Sequence, residues 1–371
     1  MSTIKNKLKK RFQYPYYVYR EIMKKQEERR VLWKDAVERF EAGTAKHGNL
    51  KEYKRALYRH RFMYEEYDAY GLWDMEENRW GEFISDKEMQ CIYRKMVQID
   101  IANCFCDKMK GIEIFAKFVH RRWLDPNAIT FEAFKVFVVS MECIAKPRWG
   151  MKGKNVFLVQ RKEDDKYLYE LYQYCRKNHF IIEEYVRACR EIERFHPKSL
   201  NTVRVLTLSK ENKVEILDAE FRMGINDSVV DNASHGGVLA SINIETGEFM
   251  RNGVDKQGNE YVSHPNSGKM IKGFVIPRWE EIVNVCKEAA TIVPNTVFAG
   301  WDICVRQNGE IELIEVNAFP GVMGLQTSSQ RGLKPRLKEV GEKVLGFNPL
   351  KLISVWSKSY VKYDEKYGHY F

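Results

Sequence analysis

The sequence predicts an α+β protein in which a helical N-terminal region precedes a body of short strands and scattered helices. Three observations carry that reading. Apolar residues recur at three- and four-residue intervals through residues 16–125, the period of a helix with one buried face. Beyond Asp125-Pro126-Asn127 the apolar runs shorten and become strand-like. The 371 residues are 44% hydrophobic and 13% aromatic, enough for a sizeable core in one to three domains.

In chain order, Tyr17 to Ala42 is rich in Glu, Lys and Arg around Ile22, Val31, Leu32, Ala36, Val37 and Phe40, and reads as a helix. Glu88 to Ile114 sets Met89, Ile92, Tyr93, Met96, Ile99, Ala102 and Phe105 on one stripe and reads as another. Strand-like runs follow from Met141 to Ala145, Val156 to Gln160, Phe180 to Val186, Thr202 to Leu208, Val214 to Phe221 and Gly237 to Ile244. Tyr167 to Lys177 and Trp279 to Ile292 interrupt them with helical patterns. These patterns divide the chain into a largely helical 1–125, a small subdomain 126–187, a larger one 188–335 and a tail 336–371.

Composition excludes several classes. No run reaches the roughly 18 apolar residues of a membrane span, and the charged N-terminus lacks the apolar stretch of a secretory signal. A cytoplasmic protein is expected. The eight cysteines have no CxxC spacing and read as reduced thiols. The net charge of +10 comes from 61 Lys+Arg and 51 Asp+Glu, interspersed without a nucleic-acid-binding signature, so no nucleic acid is expected. One basic cluster, Lys5, Lys7, Lys9, Lys10 and Arg11, offers peripheral membrane contact at most.

The strongest chemical signal runs from Ala299 to Asn317. Asn308-Gly309 between two apolar runs predicts a hairpin with a two-residue type I′ loop. Gln307 then faces Glu310, Asp302 faces Glu315, and Asn317 shares the face of Glu315 opposite Gly300, which leaves room above it. Directly opposed carboxylates repel at about 5 Å. A hard divalent cation offsets this, and Mg²⁺ takes such oxygen ligands. Asp302, Glu315 and Asn317 are therefore the candidate metal ligands.

A second signal is Ile144-Ala-Lys146-Pro147, followed by Arg148-Trp-Gly150-Met-Lys152-Gly153-Lys154 and another strand-like run. Such a loop brings backbone N–H groups to phosphate oxygens, with Lys146 as a point charge. It is not a Walker A loop, and no GxGxxG occurs. A third, Phe180-Ile-Ile-Glu183-Glu184-Tyr-Val186, is by itself an ordinary strand edge.

In this order, with Asn201-Thr-Val-Arg204, Glu220-Phe-Arg222-Met-Gly224, Val230-Asp231-Asn232 and Glu315-Val-Asn317-Ala-Phe-Pro-Gly321, these segments resemble the ATP-grasp superfamily. They are most similar to its sugar-transfer-associated branch, over roughly residues 100–330. The resemblance implies two α+β subdomains clamping ATP. It places Lys146 and, more loosely, Lys108 on the phosphates beneath the Gly150, Lys152 and Gly153 flap. It makes Glu183, Glu184 and Val186 the hinge that reads adenine, and Asp302, Glu315 and Asn317 the Mg²⁺ set. Arg204 and Arg222 would stabilise the transferred phosphoryl group, and Glu191 or Glu193 would hold the ribose. His235 and His264 are open alternatives for a base.

The resemblance further implies an ATP- and Mg²⁺-dependent carboxylate–amine ligase working through an acyl-phosphate. Its small-molecule partners would be a carboxylate and an amine or sugar from a surface-polysaccharide precursor. The alternatives are a kinase of a sugar hydroxyl and a non-catalytic nucleotide-binding scaffold. Oligomeric state is left open. The aromatic tail, with Trp356, Tyr360, Tyr363, Tyr367, Tyr370 and Phe371, is open between docked packing and a carbohydrate-facing surface.

Overall fold

A computed structural model describes residue 23 and residues 26–150, 153–231 and 236–353. The basic cluster, the aromatic tail, Lys152 and His235 lie outside the described residues. The described residues fall into two compact units, one drawn from 26–96, 330–338 and 348–353, the other from 97–329 and 339–347.

The first unit is helical. Residues 26–41 form a helix that buries Ala36 and sets Trp33 and Phe40 against Tyr53 and Tyr64, while Val31 is 58% exposed. Thus Trp33, Ala36 and Phe40 make the inward stripe. Leu50–Arg55 starts at Asn49, whose side chain accepts the Glu52 N–H at 3.0 Å, satisfying a helix-end donor. Edge-to-face rings of Tyr53, Tyr64 and Tyr67 fill the interior. The fully buried Glu66 accepts the N–H of Met63 and of Asp86, at 2.8 and 2.6 Å. Burial nonetheless pushes its pKa up to about 8.

The stripe from Glu88 to Ile114 is three helices. Asp86–Met96 closes the first unit's N-terminal segment, and α1 (Ile99–Cys106) and α2 (Lys108–Ile114) open the second. The second break is at Asp107, which is extended (φ −93°, ψ 104°) and caps α2 by accepting the Met109 N–H.

The second unit holds two antiparallel sheets. Along the chain come β1 (Trp123–Leu124), α3 (Phe131–Ser140), β2 (Cys143–Pro147), β3 (Phe157–Leu158), α4 (Asp165–Lys177) and β4 (Phe180–Glu184). These strands form a four-stranded sheet of order β1-β4-β2-β3. Helices α3 and α4 cover it, burying Phe134, Leu168 and Cys175 against Ala145 and Ile182. There follow β5 (Val203–Lys210), β6 (Lys213–Met223), β7 (Val238–Ser241), β8 (Gly253–Val254), β9 (Glu260–Tyr261), α5 (Trp279–Ile292), β10 (Phe298–Val305) and β11 (Ile311–Asn317). These strands build a seven-stranded sheet, β11-β10-β5-β6-β7-β8-β9. Every residue of β10 is buried, and Trp301 lies against the rings of Phe105 and Phe115.

The β10–β11 hairpin forms with a different loop. Arg306, not Gln307, faces Glu310, through a 2.8 Å N–H to O=C bond, and only Gly309 of the loop has positive φ (+86°). That is a three-residue loop closed by a glycine in the left-handed region, not a type I′ turn. A bulge on β11 restores the register: Ile303 pairs with Leu313, but Asp302 pairs with Glu315. Ile314 is the extra residue. Two departures from the expected hairpin cancel. None of the eight cysteines forms a disulfide, and six of them are buried.

Candidate active site

The bulge explains the composition of β11. Without it, strict alternation would put Glu312 and Glu315 on opposite faces. With it, Glu312, Glu315 and Asn317 pair with Cys304, Asp302 and Gly300 and share their face. Gly300 leaves no open room above Asn317. A Cβ there would come within 2.6 Å of the Pro320 side chain and 3.3 Å of Arg204, so the glycine admits these neighbours.

Arginine fills the space between the strands. Arg204, which faces Asp302 across the β5–β10 ladder, grips its carboxylate through Nε and, at 2.6 Å, through Nη2. Arg222 donates to Glu220 Oε1 from Nε (2.9 Å) and Nη2 (2.7 Å), and its Nη1 lies 3.6 Å from Asp302. Burial would raise the Asp302 pKa, but the two arginines outweigh it and hold it below the ordinary value. These are buried ion pairs, not a surface network. Each Asp302 oxygen keeps a lone pair beyond the guanidinium fork. Asn317 Nδ2 is buried, contributes to the low Asp302 pKa, and makes no well-formed hydrogen bond. A half-turn of that amide would present its oxygen instead. Two carboxylates and an amide oxygen suit a hard cation. Among the described residues no group of three or more His, Cys, Asp or Glu converges for a metal, and the set here has two acids and an amide.

The lysines come from the small-sheet side. Lys146, near the end of β2, donates to Glu183 Oε2 at 2.7 Å. The same oxygen accepts Arg121 Nε at 2.8 Å. Burial would raise the Glu183 pKa, but Arg121 and Lys146 drive it down to about 2. Arg121 is itself buried. Its Nη1 reaches Glu312 and the Leu313 carbonyl, both at 2.7 Å, and its Nη2 the Ile314 carbonyl at 3.0 Å. These carbonyls belong to the bulge. One guanidinium thus links the carboxylate that seats Lys146 to the irregularity that orients Glu315.

Lys108, the first residue of α2, donates to the Gly150 carbonyl at 2.8 Å and lies 3.5 Å from Glu315. Arg148 forks onto Asp107 at 2.8 and 2.7 Å, and the Lys108 N–H reaches the Arg148 carbonyl at 3.1 Å. The flap's root is therefore anchored beside Lys108. Gly153 takes φ +67°, which only glycine adopts freely. Lys108, Lys146, Gly150, Gly153, Asp302 and Glu315 line one open cleft.

Residues 113–342 match the family model described as sugar-transfer associated ATP-grasp. The chain belongs to that family. Its fold is the ATP-grasp fold, with a helical N-terminal region added. No curated protein matches the chain. Among solved structures it is similar to the ATP-grasp ligase PsnB complexed with minimal precursor, at 14% identity, 66% of this chain, 62% of that chain and TM-score 0.39. It is similar to N5-carboxyaminoimidazole synthetase from Staphylococcus aureus complexed with ADP, at 11% identity, 61% and 50% coverage and TM-score 0.39. A third is L-amino acid ligase from Bacillus licheniformis, at 15% identity, 68% and 46% coverage and TM-score 0.37. The chain spans 46–62% of the length of these three.

In this ATP-grasp chain the two acids expected at the hinge are engaged in ion pairs. Glu183 is turned into the Arg121–Lys146 network, and Glu184 accepts the Arg122 N–H and Arg306 Nη2 at 3.1 and 2.9 Å. Any contact with a base at the hinge would fall to backbone groups near the buried Val186. Glu193 lies 3.5 Å from Arg187 and Glu191 is exposed on the same short helix, Arg190–Glu193. His264 is fully buried, with Nε2 on the Gly224 carbonyl at 2.8 Å, which suits loop support rather than proton transfer to a substrate. Sequence reasoning missed Arg121 as a site residue. Its signal was the odd spacing Glu312-Leu-Ile-Glu315, whose bulge exposes carbonyls that need a donor. It also missed Lys154, Thr202 and Asp231 as lining residues.

Proposed function

We propose that the chain is an ATP- and Mg²⁺-dependent carboxylate–amine ligase acting on a sugar or surface-polysaccharide precursor. The observation that carries this is the pairing of Asp302 with Glu315, beside Asn317, in one cleft with Lys108 and Lys146. On this reading Asp302, Glu315 and Asn317 hold Mg²⁺, which would supply charge neutralisation at the phosphoryl oxygens. Lys146 and Lys108 bind phosphate, and the Gly150–Gly153 flap excludes water. Arg204 and Arg222 would stabilise the charge that develops as ATP phosphorylates the carboxylate, so positioning and electrostatics would do most of the catalysis. An amine then displaces phosphate from the acyl group.

The test is ADP release with Mg²⁺ by wild type and by a Glu315→Ala/Asn317→Ala double variant, over sugar acids crossed with amino acids. Turnover that needs both an acid and an amine, and vanishes in the double variant, supports the ligase. Turnover with a hydroxyl acceptor alone replaces it with a kinase. Tight ATP binding without turnover across a widened panel would sink the enzyme reading in favour of a scaffold.

A further inference from the structure

We propose that Asp231, held by Thr202, seats a protonated amine of the acceptor substrate. The proposal deepens the ligase reading and rests on it for the amine's role as acceptor. Asp231 Oδ2 accepts both the N–H and the Oγ1 hydroxyl of Thr202, at 2.6 and 2.7 Å. Among the described residues nothing donates to Oδ1 and no lysine, arginine or histidine forms an ion pair with Asp231. The other acids around the cleft differ. Asp302 has Arg204, Glu315 has Lys108, and Glu183 has Lys146 and Arg121. Asp231 is 9% exposed and lines, with Leu200, Val229 and Val230, a cleft whose lining also holds Lys108, Lys146 and Lys154, none of which forms an ion pair with it.

A buried carboxylate that makes no direct ion pair, with Arg222 acting on it only from nearby, is costly, and a cation brought by a ligand offsets the cost. A hydroxyl would donate one hydrogen bond and leave the charge. An anionic group would meet Asp231 and Asp302 together. An ammonium fits both the bond and the charge. Burial raises the Asp231 pKa despite Thr202 and Arg222, a direction that an ammonium would reverse. Position agrees. The Arg222 N–H to Thr202 carbonyl bond, 2.8 Å, continues the β5–β6 ladder, so Thr202 shares a face with Arg204. Asp231 therefore lies beside the Arg204–Asp302 pair.

Paired probes that differ in one ammonium group test this, namely glucosamine against glucose and ethylamine against ethanol, at pH 7.5. Their effect on the thermal midpoint of the full chain is titrated with and without MgADP. The expected result is an apparent affinity at least about tenfold higher for the ammonium member. Asp231→Asn should abolish that preference and Thr202→Val should weaken it, both with unchanged circular dichroism. If Asp231→Asn fails to fold, Thr202→Val carries the comparison. Equal response of wild type to both members of each pair overturns the proposal, as does an undiminished preference in the variants. An ammonium preference in a chain that binds no MgADP would support the seat while overturning the ligase reading.

Discussion

Glu183 is the acid on which Lys146 depends. Its carboxylate holds both Lys146 and Arg121, so Glu183→Gln removes a charge from each. A phosphate-binding lysine that has lost its counter-charge still carries its own, and its geometry suffers more than its attraction. The expected outcome is a KM for ATP raised several-fold with a smaller change in kcat. Lys146→Met, which removes the charge itself, should abolish measurable ATP binding in calorimetry. For the proposed metal set, Glu315→Ala should lower Mg²⁺-dependent ADP release by about 10²–10³-fold with the fold retained. These candidates stood out in the sequence because the proposed hard-cation and phosphate chemistry restricts residue type. Arg121 did not, since nothing local distinguishes a buried arginine from a surface one.

At the scale of the element, the hairpin shows how a correct pairing came from an incorrect turn. Asn308-Gly309 announced a hairpin, and counting from its expected two-residue loop put Asp302 opposite Glu315, as the structure has it. Loop length and bulge were invisible separately, because an extra residue in each leaves the far pairing unchanged. The long stripe from Glu88 to Ile114 failed for another reason. Helical period persists across a capped break, and only Asp107, a good N-cap residue, marked one. Two variants test the hairpin's supports. Gly309→Ala places a Cβ at φ +86°, where it would meet Arg278 at 2.7 Å, and should cost about 1–2 kcal/mol in urea unfolding. Arg121→Met leaves Glu183 and Glu312 short of their buried cation and should cost about 3–5 kcal/mol in the same measurement.

The whole molecule combines two acids with opposite pH dependence, one in each unit. Glu183 has a folded pKa of about 2 against 4.5 unfolded. Its stabilisation is present above pH 4.5 and lost as the pH falls toward 2. Glu66 has a folded pKa of about 8 against 4.5. Its contribution is complete below 4.5 and lost as the pH rises through 8. Hydrogen exchange resolved by peptide should therefore show the second unit loosening first in acid and the helical unit loosening first in mild alkali. A single pH profile shared by both units would refute this. The helical unit was foreseen as helical, but its discontinuity was not. Residues 330–338 and 348–353 return to it after the large sheet is complete, and periodicity carries no information on such long-range return.

The bulge at Ile314 also bears on how sequences should be compared. Ile314 makes no cross-strand pair, so deleting it would close the strand without turning Glu315 or Asn317 to the other face. A chain one residue shorter between Glu312 and Glu315 would keep the same three side chains together, with Arg121 left short of one carbonyl. An alignment that holds the Asp302-to-Glu315 distance fixed would then miss a true counterpart. The gap belongs at Leu313-Ile314.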